Sequence, residues 1–110
     1  MSRSRDNENV DRAKAIETLQ KHERELRAAG VLSASLFGSL ARGDDTVHDI
    51  DIAVRLSRSF SEPGLDYFAR LEDLEHRLSN LLGCKVDVVE EPVRKERFQK
   101  EIDRDRAVAF

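Results

Sequence analysis

The segment from Asp49 to Leu56 alternates between apolar and other residues, and no other stretch of the 110-residue chain constrains the fold as much. Successive side chains of a β-strand point to opposite faces, so one face would carry Ile50, Ile52, Val54 and Leu56. The other face would carry Asp49, Asp51, Ala53 and Arg55. We therefore predict a strand with one buried apolar face and with both aspartates projecting from the opposite face.

Two other segments also have the pattern of strands. Val31 to Phe37 is small and apolar, lacks a helical stripe and runs into Gly38, which predicts a short buried strand that enters a tight turn. Lys85 to Val89 alternates again, with Val86 and Val88 on one face and Asp87 on the other. The sheet is thus predicted to contain at least these three strands.

A helix is predicted between Ser61 and Gly83, where apolar residues recur at helical spacing. Ser61 would cap it, Pro63 would lie in its first turn, and Gly83 would end it. Its apolar stripe consists of Tyr67, Leu71, Leu74, Leu78 and Leu81. This is the strongest helical pattern in the chain.

The two ends of the chain also read as helices. Before Gly30, which would act as a stop, a helical stripe is formed by Val10, Ala13, Ile16 (or Glu17), Leu19 and Leu26. Beyond Pro92, a last charged helix would bury a narrow seam of Phe98 and Ile102, with Val108 as a further candidate. The predicted order is α-β-(short α)-β-α-β-α in a single domain, 1–110, of mixed α+β class, with residues 1–9 expected to be flexible.

Composition limits the function classes. A chain of 110 residues has room for one domain, and its net charge of -3 argues against a protein that grips nucleic acid through many phosphates. The single cysteine, Cys84, cannot form an intramolecular disulfide. No apolar run approaches the ~20 residues that span a bilayer. We expect a cytoplasmic protein that binds neither membrane nor nucleic acid directly.

The turn at Gly38 and Ser39 is a candidate phosphate site. A residue without a side chain allows close approach of a ligand to the backbone, and a hydroxyl and free amides at the start of a helical turn can bind a phosphate oxygen. The alternative is structural, because Gly-Ser is an ordinary turn pair.

Asp49 and Asp51 are candidate metal ligands because they lie two residues apart on one predicted strand. Two carboxylates held close together repel each other unless a cation lies between them, and Mg²⁺ prefers such oxygen ligands. For an isolated D-x-D the alternative is a solvated strand end. If the strand of Asp87 lies beside that of Asp51, three carboxylates share a face and could hold two ions about 4 Å apart.

Together these segments resemble a known family. The run Phe37-Gly38-Ser39-Leu40-Ala41-Arg42-Gly43, five further residues, Asp49-Ile50-Asp51 and a later Val86-Asp87-Val88 is similar to the pattern of minimal nucleotidyltransferases of the DNA-polymerase-β-like superfamily. The resemblance implies a small mixed sheet with helices packed against it. It also implies Mg²⁺, with two ions expected, and ATP as substrate.

The resemblance implies roles for single residues. Gly38 and Ser39 would hold the triphosphate, Asp49, Asp51 and Asp87 would bind Mg²⁺, and Asp87 is a candidate base. Arg42 would contact phosphate or acceptor, or else pair with Asp44 or Asp45 at the surface. His48 departs from the family, which more often has Ser before the first aspartate.

Small members of the family resemble the antitoxins of HEPN/MNT toxin–antitoxin pairs. The resemblance therefore implies transfer of AMP from Mg-ATP to a tyrosine of a HEPN ribonuclease toxin, with which the chain would form a hetero-oligomer. Two alternatives stay open at this point. One is a module without catalysis that masks its partner sterically, and the other is a nucleotidyltransferase with a small-molecule acceptor.

Overall fold

The computed structural model describes residues 11–42, 49–61 and 66–110. The predictions for residues 1–9, Val10, Gly43, Asp44, Asp45, His48 and Pro63 lie outside these residues. The first described part contains α1 (Arg12–Lys21), α2 (Glu23–Ala28), β1 (Val31–Phe37) and α3 (Gly38–Ala41). The remainder contains β2 (Asp49–Leu56), α4 (Arg58–Ser61), α5 (Tyr67–Leu82), β3 (Lys85–Glu90), α6 (Glu96–Asp105) and β4 (Ala107–Val108).

The strands form one mixed sheet in the order β3-β2-β1-β4. β1 pairs antiparallel with both β2 and β4, whereas β2 and β3 run parallel. The predicted α+β class is therefore confirmed. Strand β4 was not predicted, and Val108 does not belong to the seam of the last helix because it lies in β4 and is 59% exposed.

The sheet has hydrophobic residues on both faces. The apolar face of β2 joins the larger cluster, which also includes side chains from the helices, such as Leu19, Leu26, Leu74 and Leu78. On the other face, Ile102 of α6 packs with Phe37 and Ala53 in a smaller cluster. Helix α6 thus covers part of the face from which the aspartates of β2 project, and Ala53 is buried there rather than exposed.

The predicted N-terminal helix needs correction. It is interrupted at His22, which separates α1 from α2, and Ala13 is exposed while Ala15 is buried. Asp11 caps α1, because its side chain accepts a hydrogen bond of 2.7 Å from the backbone amide of Lys14.

Helix α5 begins at Tyr67, after Asp66, so Ser61 is not its cap. Ser61 instead ends the short helix α4. The predicted stop is confirmed, because Gly83 has a left-handed backbone with φ of 76°. Within the ranges 11–42, 49–61 and 66–110, no helix has the length and apolar character that a membrane crossing requires.

Side chains of α5 accept hydrogen bonds from backbone amides at the outer edge of β3. The backbone amide of Val86 donates to Oγ of Ser79 at 3.1 Å, and that of Val88 donates to Oε2 of Glu75 at 3.0 Å. β3 is the last strand in the sheet order, so these amides would otherwise point away from any neighbouring strand. The helix therefore closes this edge with polar contacts as well as covering one face.

Candidate active site

Asp51 and Asp87 lie side by side on neighbouring strands. They are direct partners in the parallel register of β2 and β3, so both side chains project from the same face. Both are half-buried, and Asp49 lies two residues earlier on β2 and is exposed. The strand of Asp87 therefore lies beside the strand of Asp51, as the predicted three-carboxylate site requires.

The carboxylates influence one another electrostatically. Burial raises the pKa of Asp51, and the negative charges of Asp87 and then Asp49 raise it further. Arg42 acts in the opposite direction and lowers the pKa of Asp51. These four charged groups are therefore close enough to form one electrostatic site.

The donor chemistry suits a hard divalent cation, since three carboxylates on one face offer oxygen ligands. Among the described residues, however, no three His, Cys, Asp or Glu side chains are gathered tightly enough to chelate an ion. Carboxylates of like charge repel each other, so their oxygens are not drawn together unless a cation lies between them. The residues fit Mg²⁺ by chemistry and by face, and the ligand set stays a prediction.

Gly38 lies directly against the carboxylate of Asp51. Its backbone has φ of 75°, and a Cβ added there would lie 2.5 Å from Oδ2 of Asp51. Only a residue without a side chain can occupy this position without displacing the carboxylate. The turn that follows β1 is thereby brought into contact with the acidic face.

Arg42 follows α3 and is held from the far end of the chain. Its Nη1 atom lies 3.0 Å from Oδ2 of Asp105, the last residue of α6. The neighbouring carbonyl of Ala41 accepts a 2.9 Å hydrogen bond from Nη1 of Arg12. The structure thus shows a partner for Arg42 that the sequence did not suggest, while Asp44 and Asp45 lie outside the described residues.

Two charged residues at this site were missed in the sequence. Lys85 is the register partner of Asp49, so its side chain leaves the same face of the sheet. The alternation of β3 already placed Lys85 on the face of Asp87 and could have revealed it. Asp105 carries no such local signal, because it lies 63 residues from Arg42.

Comparisons with known proteins identify the family of this chain. The family model of the polymerase beta nucleotidyltransferases matches residues 13–110. A proposed protein adenylyltransferase of Methanocaldococcus jannaschii is 36% identical over 92 residues, which cover 81% of this chain and 88% of the relative. A second one from the same organism is 38% identical over 90 residues, covering 79% and 86%.

Solved structures share the fold. A proposed minimal nucleotidyltransferase superposes with a TM-score of 0.60 at 27% identity, covering 87% of this chain and 89% of that one. A chain from a toxin–antitoxin structure with AMP-PNP gives 0.62 at 23% identity, covering 83% and 72%. A chain from the complex of a tri-AMPylated Shewanella oneidensis HEPN toxin with MNT antitoxin gives 0.59 at 21% identity, covering 87% and 71%. With the family match over nearly its whole length, this chain belongs to the polymerase beta nucleotidyltransferases.

Proposed function

We propose that this chain transfers AMP from ATP to a tyrosine hydroxyl of a HEPN-type toxin and thereby acts as its antitoxin. The observation that carries the proposal is the pairing of Asp51 with Asp87 directly beside Gly38. Its support from relatives is twofold. The Methanocaldococcus relatives are named as proposed protein adenylyltransferases, and one structural neighbour belongs to a complex whose HEPN toxin carries AMP groups.

Asp49, Asp51 and Asp87 would hold the divalent metal, for which we propose two Mg²⁺ ions. When bound, such ions neutralise charge on the attacking, non-bridging and leaving oxygens of a phosphoryl transfer. The raised pKa of Asp51 fits this role, because burial and then its acidic neighbours disfavour its ionised form, which would gain from a nearby cation.

The triphosphate would lie along the turn after β1. Gly38 allows the nucleotide to approach the backbone, Ser39 offers a hydroxyl, and the guanidinium of Arg42 can bind phosphate oxygens through several N–H donors. Arg42 is exposed and lowers the pKa of Asp51, so its charge would act on phosphates bound beside that carboxylate.

The proposed step is an in-line displacement. The tyrosine oxygen forms a bond to the α-phosphorus, the bond from that phosphorus to the bridging oxygen breaks, and pyrophosphate leaves with the electron pair. The proton of the tyrosine hydroxyl passes to the carboxylate of Asp87. The products are an AMP-tyrosine ester, pyrophosphate and a protonated Asp87.

The test uses the full chain together with a candidate HEPN-type protein and α-labelled ATP. We expect Mg²⁺-dependent labelling of the partner by the natural chain and none by the double variant Asp49→Asn with Asp51→Asn. Asp73→Asn, an exposed acid on α5, is the matched control and should label normally. Equal labelling by the double variant would overturn the proposal.

A growth assay separates this function from steric masking. If the chain only covered its partner, the double variant would still form the complex and would neutralise the toxin. Under the proposed function, the double variant forms the complex but loses neutralisation. Co-purification of both proteins reports complex formation independently of transfer.

A further inference from the structure

We propose that Asp105 is a positioning residue that holds the guanidinium of Arg42 towards the nucleotide. The inference rests on the proposed function, because it assumes that Arg42 faces the triphosphate. It adds a residue at the end of α6, outside the three motifs, to the nucleotide site. Asp105 would act through Arg42 and would not itself touch the nucleotide.

The contact between the two residues is asymmetric. Half of the Arg42 side chain is exposed, whereas only 9% of the Asp105 side chain is. Both carboxylate oxygens of Asp105 have a cationic partner, Oδ2 with Nη1 of Arg42 at 3.0 Å and Oδ1 with Nε of Arg104 at 3.3 Å. Asp105 is therefore the buried member of the pair, and Arg42 is the more exposed member.

The end of α6 is anchored to the sheet on both sides of Asp105. Ile102 is fully buried against Phe37 and Ala53. Arg106 forms an ion pair of 2.5 Å with the buried carboxylate of Glu91 and another of 2.7 Å with Asp103. An acid held between two such anchors has little freedom to move, so it can impose a direction on its partner.

Arg42 lies in the turn beside Asp51, where the orientation of its guanidinium would affect nucleotide binding. Its backbone amide donates to the carbonyl of Gly38 at 3.1 Å, so the residue belongs to the same turn that contacts Asp51. A guanidinium carries five N–H donors in one plane, and a bond to Asp105 therefore does not preclude bonds to a phosphate. When Asp105 binds one edge of the guanidinium of Arg42, the orientation of the remaining N–H donors is fixed for a ligand.

The negative charge of Asp105 could weaken nucleotide binding, whereas its positioning of Arg42 would strengthen it. Substitutions of Asp105 separate these two effects. A carboxylate near the site repels a triphosphate, so its removal would tighten binding if charge dominated. Positioning predicts weaker binding instead. Asp105→Asn removes the charge but keeps an oxygen acceptor for Arg42, whereas Asp105→Ala removes both.

The experiment measures Mg-ATP affinity of the full chain by calorimetry, which needs neither acceptor nor turnover. We expect Asp105→Ala to bind about fivefold more weakly and Asp105→Asn to lose less. In an Arg42→Ala background, Asp105→Ala should cause no further loss, because the two residues act as a unit. Glu101→Ala, an exposed acid on the same helix, is the control and should bind like the natural chain.

Unchanged or tighter binding by Asp105→Ala would overturn the inference, as would an equal loss in the Arg42→Ala background. Thermal unfolding of each variant shows whether a loss of affinity merely follows a loss of fold. If the natural chain itself bound no Mg-ATP, the proposed function would fail instead. The two failures are therefore distinguishable.

Discussion

Gly38 and Asp51 are so close that the carboxylate occupies the space where a side chain of residue 38 would begin. The distance from an added Cβ to Oδ2 of Asp51 would be 2.5 Å, well inside van der Waals contact. The turn after β1 and the acidic strand β2 therefore fit together only because residue 38 is a glycine. This contact links the two motifs physically.

We expect Gly38→Ala to abolish labelling of the partner, because the new methyl group must push Asp51 or the turn aside. The left-handed backbone adds a cost, and the free energy of unfolding should fall by about 1–2 kcal/mol. Urea unfolding and the labelling assay measure the two effects separately.

Gly83→Ala is a matched control for this substitution. Gly83 has nearly the same φ, 76°, but an added Cβ there would have no atom within 4 Å. It should lose a similar amount of stability and keep its labelling activity. If both variants lost activity equally, backbone strain rather than contact with Asp51 would be the cause.

The buried carboxylate of Glu91 should make the fold sensitive to acid. Hydrogen bonds from Arg106, and then from Gln99, hold the pKa of Glu91 below its ordinary value of 4.5, although burial opposes them. A lowered pKa means that the contribution to stability is fully present above about pH 4.5 and is lost as the pH falls through the folded-state pKa.

We therefore expect Glu91→Gln to reduce the free energy of unfolding by about 3 kcal/mol at neutral pH, since it leaves Arg106 without its main partner. The variant should also lose less stability than the natural chain between neutral pH and ~pH 3. Urea unfolding at several pH values measures both. Glu96→Gln, whose side chain is 85% exposed, should change stability by less than about 0.5 kcal/mol. A similar loss in both variants would contradict the role of burial.

Tyr67 gives a prediction at alkaline pH. Its hydroxyl donates to Glu90, and burial followed by this contact raises the pKa of Tyr67 to about 12, from an ordinary value of 10.0. The stability that this hydrogen bond provides should be fully present below pH 10 and lost as the pH rises towards 12.

Tyr67 is the only tyrosine of the chain, which also has no tryptophan, so the absorbance of tyrosinate reports it alone. We expect a titration midpoint near 12 in the folded chain and one near 10 in urea. Tyr67→Phe should cost about 1 kcal/mol. A folded-state midpoint at the urea value would show that the contact with Glu90 is absent in solution.

Glu75 and Ser79 should protect the outer edge of β3. Removal of either side chain leaves a backbone amide without its acceptor, and we expect Glu75→Ala to cost about 1–2 kcal/mol. The opened edge should also promote self-association, which light scattering detects. Glu72→Ala, on the same helix and exposed, should scatter light like the natural chain and lose little stability. Equal behaviour of the two variants would contradict this role of Glu75.

The parts of the fold with a clear period could be predicted from the sequence. The alternation of β2 gave its buried face correctly, and the leucine stripe gave the body and the end of α5. Asp49 and Asp51 followed from this alternation of β2, and Asp87 followed from the alternation of β3, which placed each of them on a face opposite to apolar residues. Their adjacency needed one further condition, the pairing of β2 with β3, which local sequence does not encode.

The features that could not be predicted depend either on segments too short to show a period or on contacts between residues far apart in the sequence. Strand β4 contains two residues, too few to show any period, and it exists because it pairs with Ser35 and Leu36 of β1. The start of α5 was placed too early because Ser61 belongs to the separate helix α4, which has only four residues and shows no period of its own. The pairing of Arg42 with Asp105 depends on where α6 packs, and only tertiary structure determines that.

The parallel register of β2 and β3 ties correct folding to correct chemistry. A slip of one residue would set a valine in place of Asp87 opposite Asp51, and it would also turn the charged side chains of β3 into the hydrophobic interior. The hydrogen bonds that set this register therefore determine both the packing of the interior and the pairing of the two aspartates. A chain that packs its interior correctly also places Asp51 beside Asp87, whereas a chain in the wrong register exposes hydrophobic surface and lacks the pair.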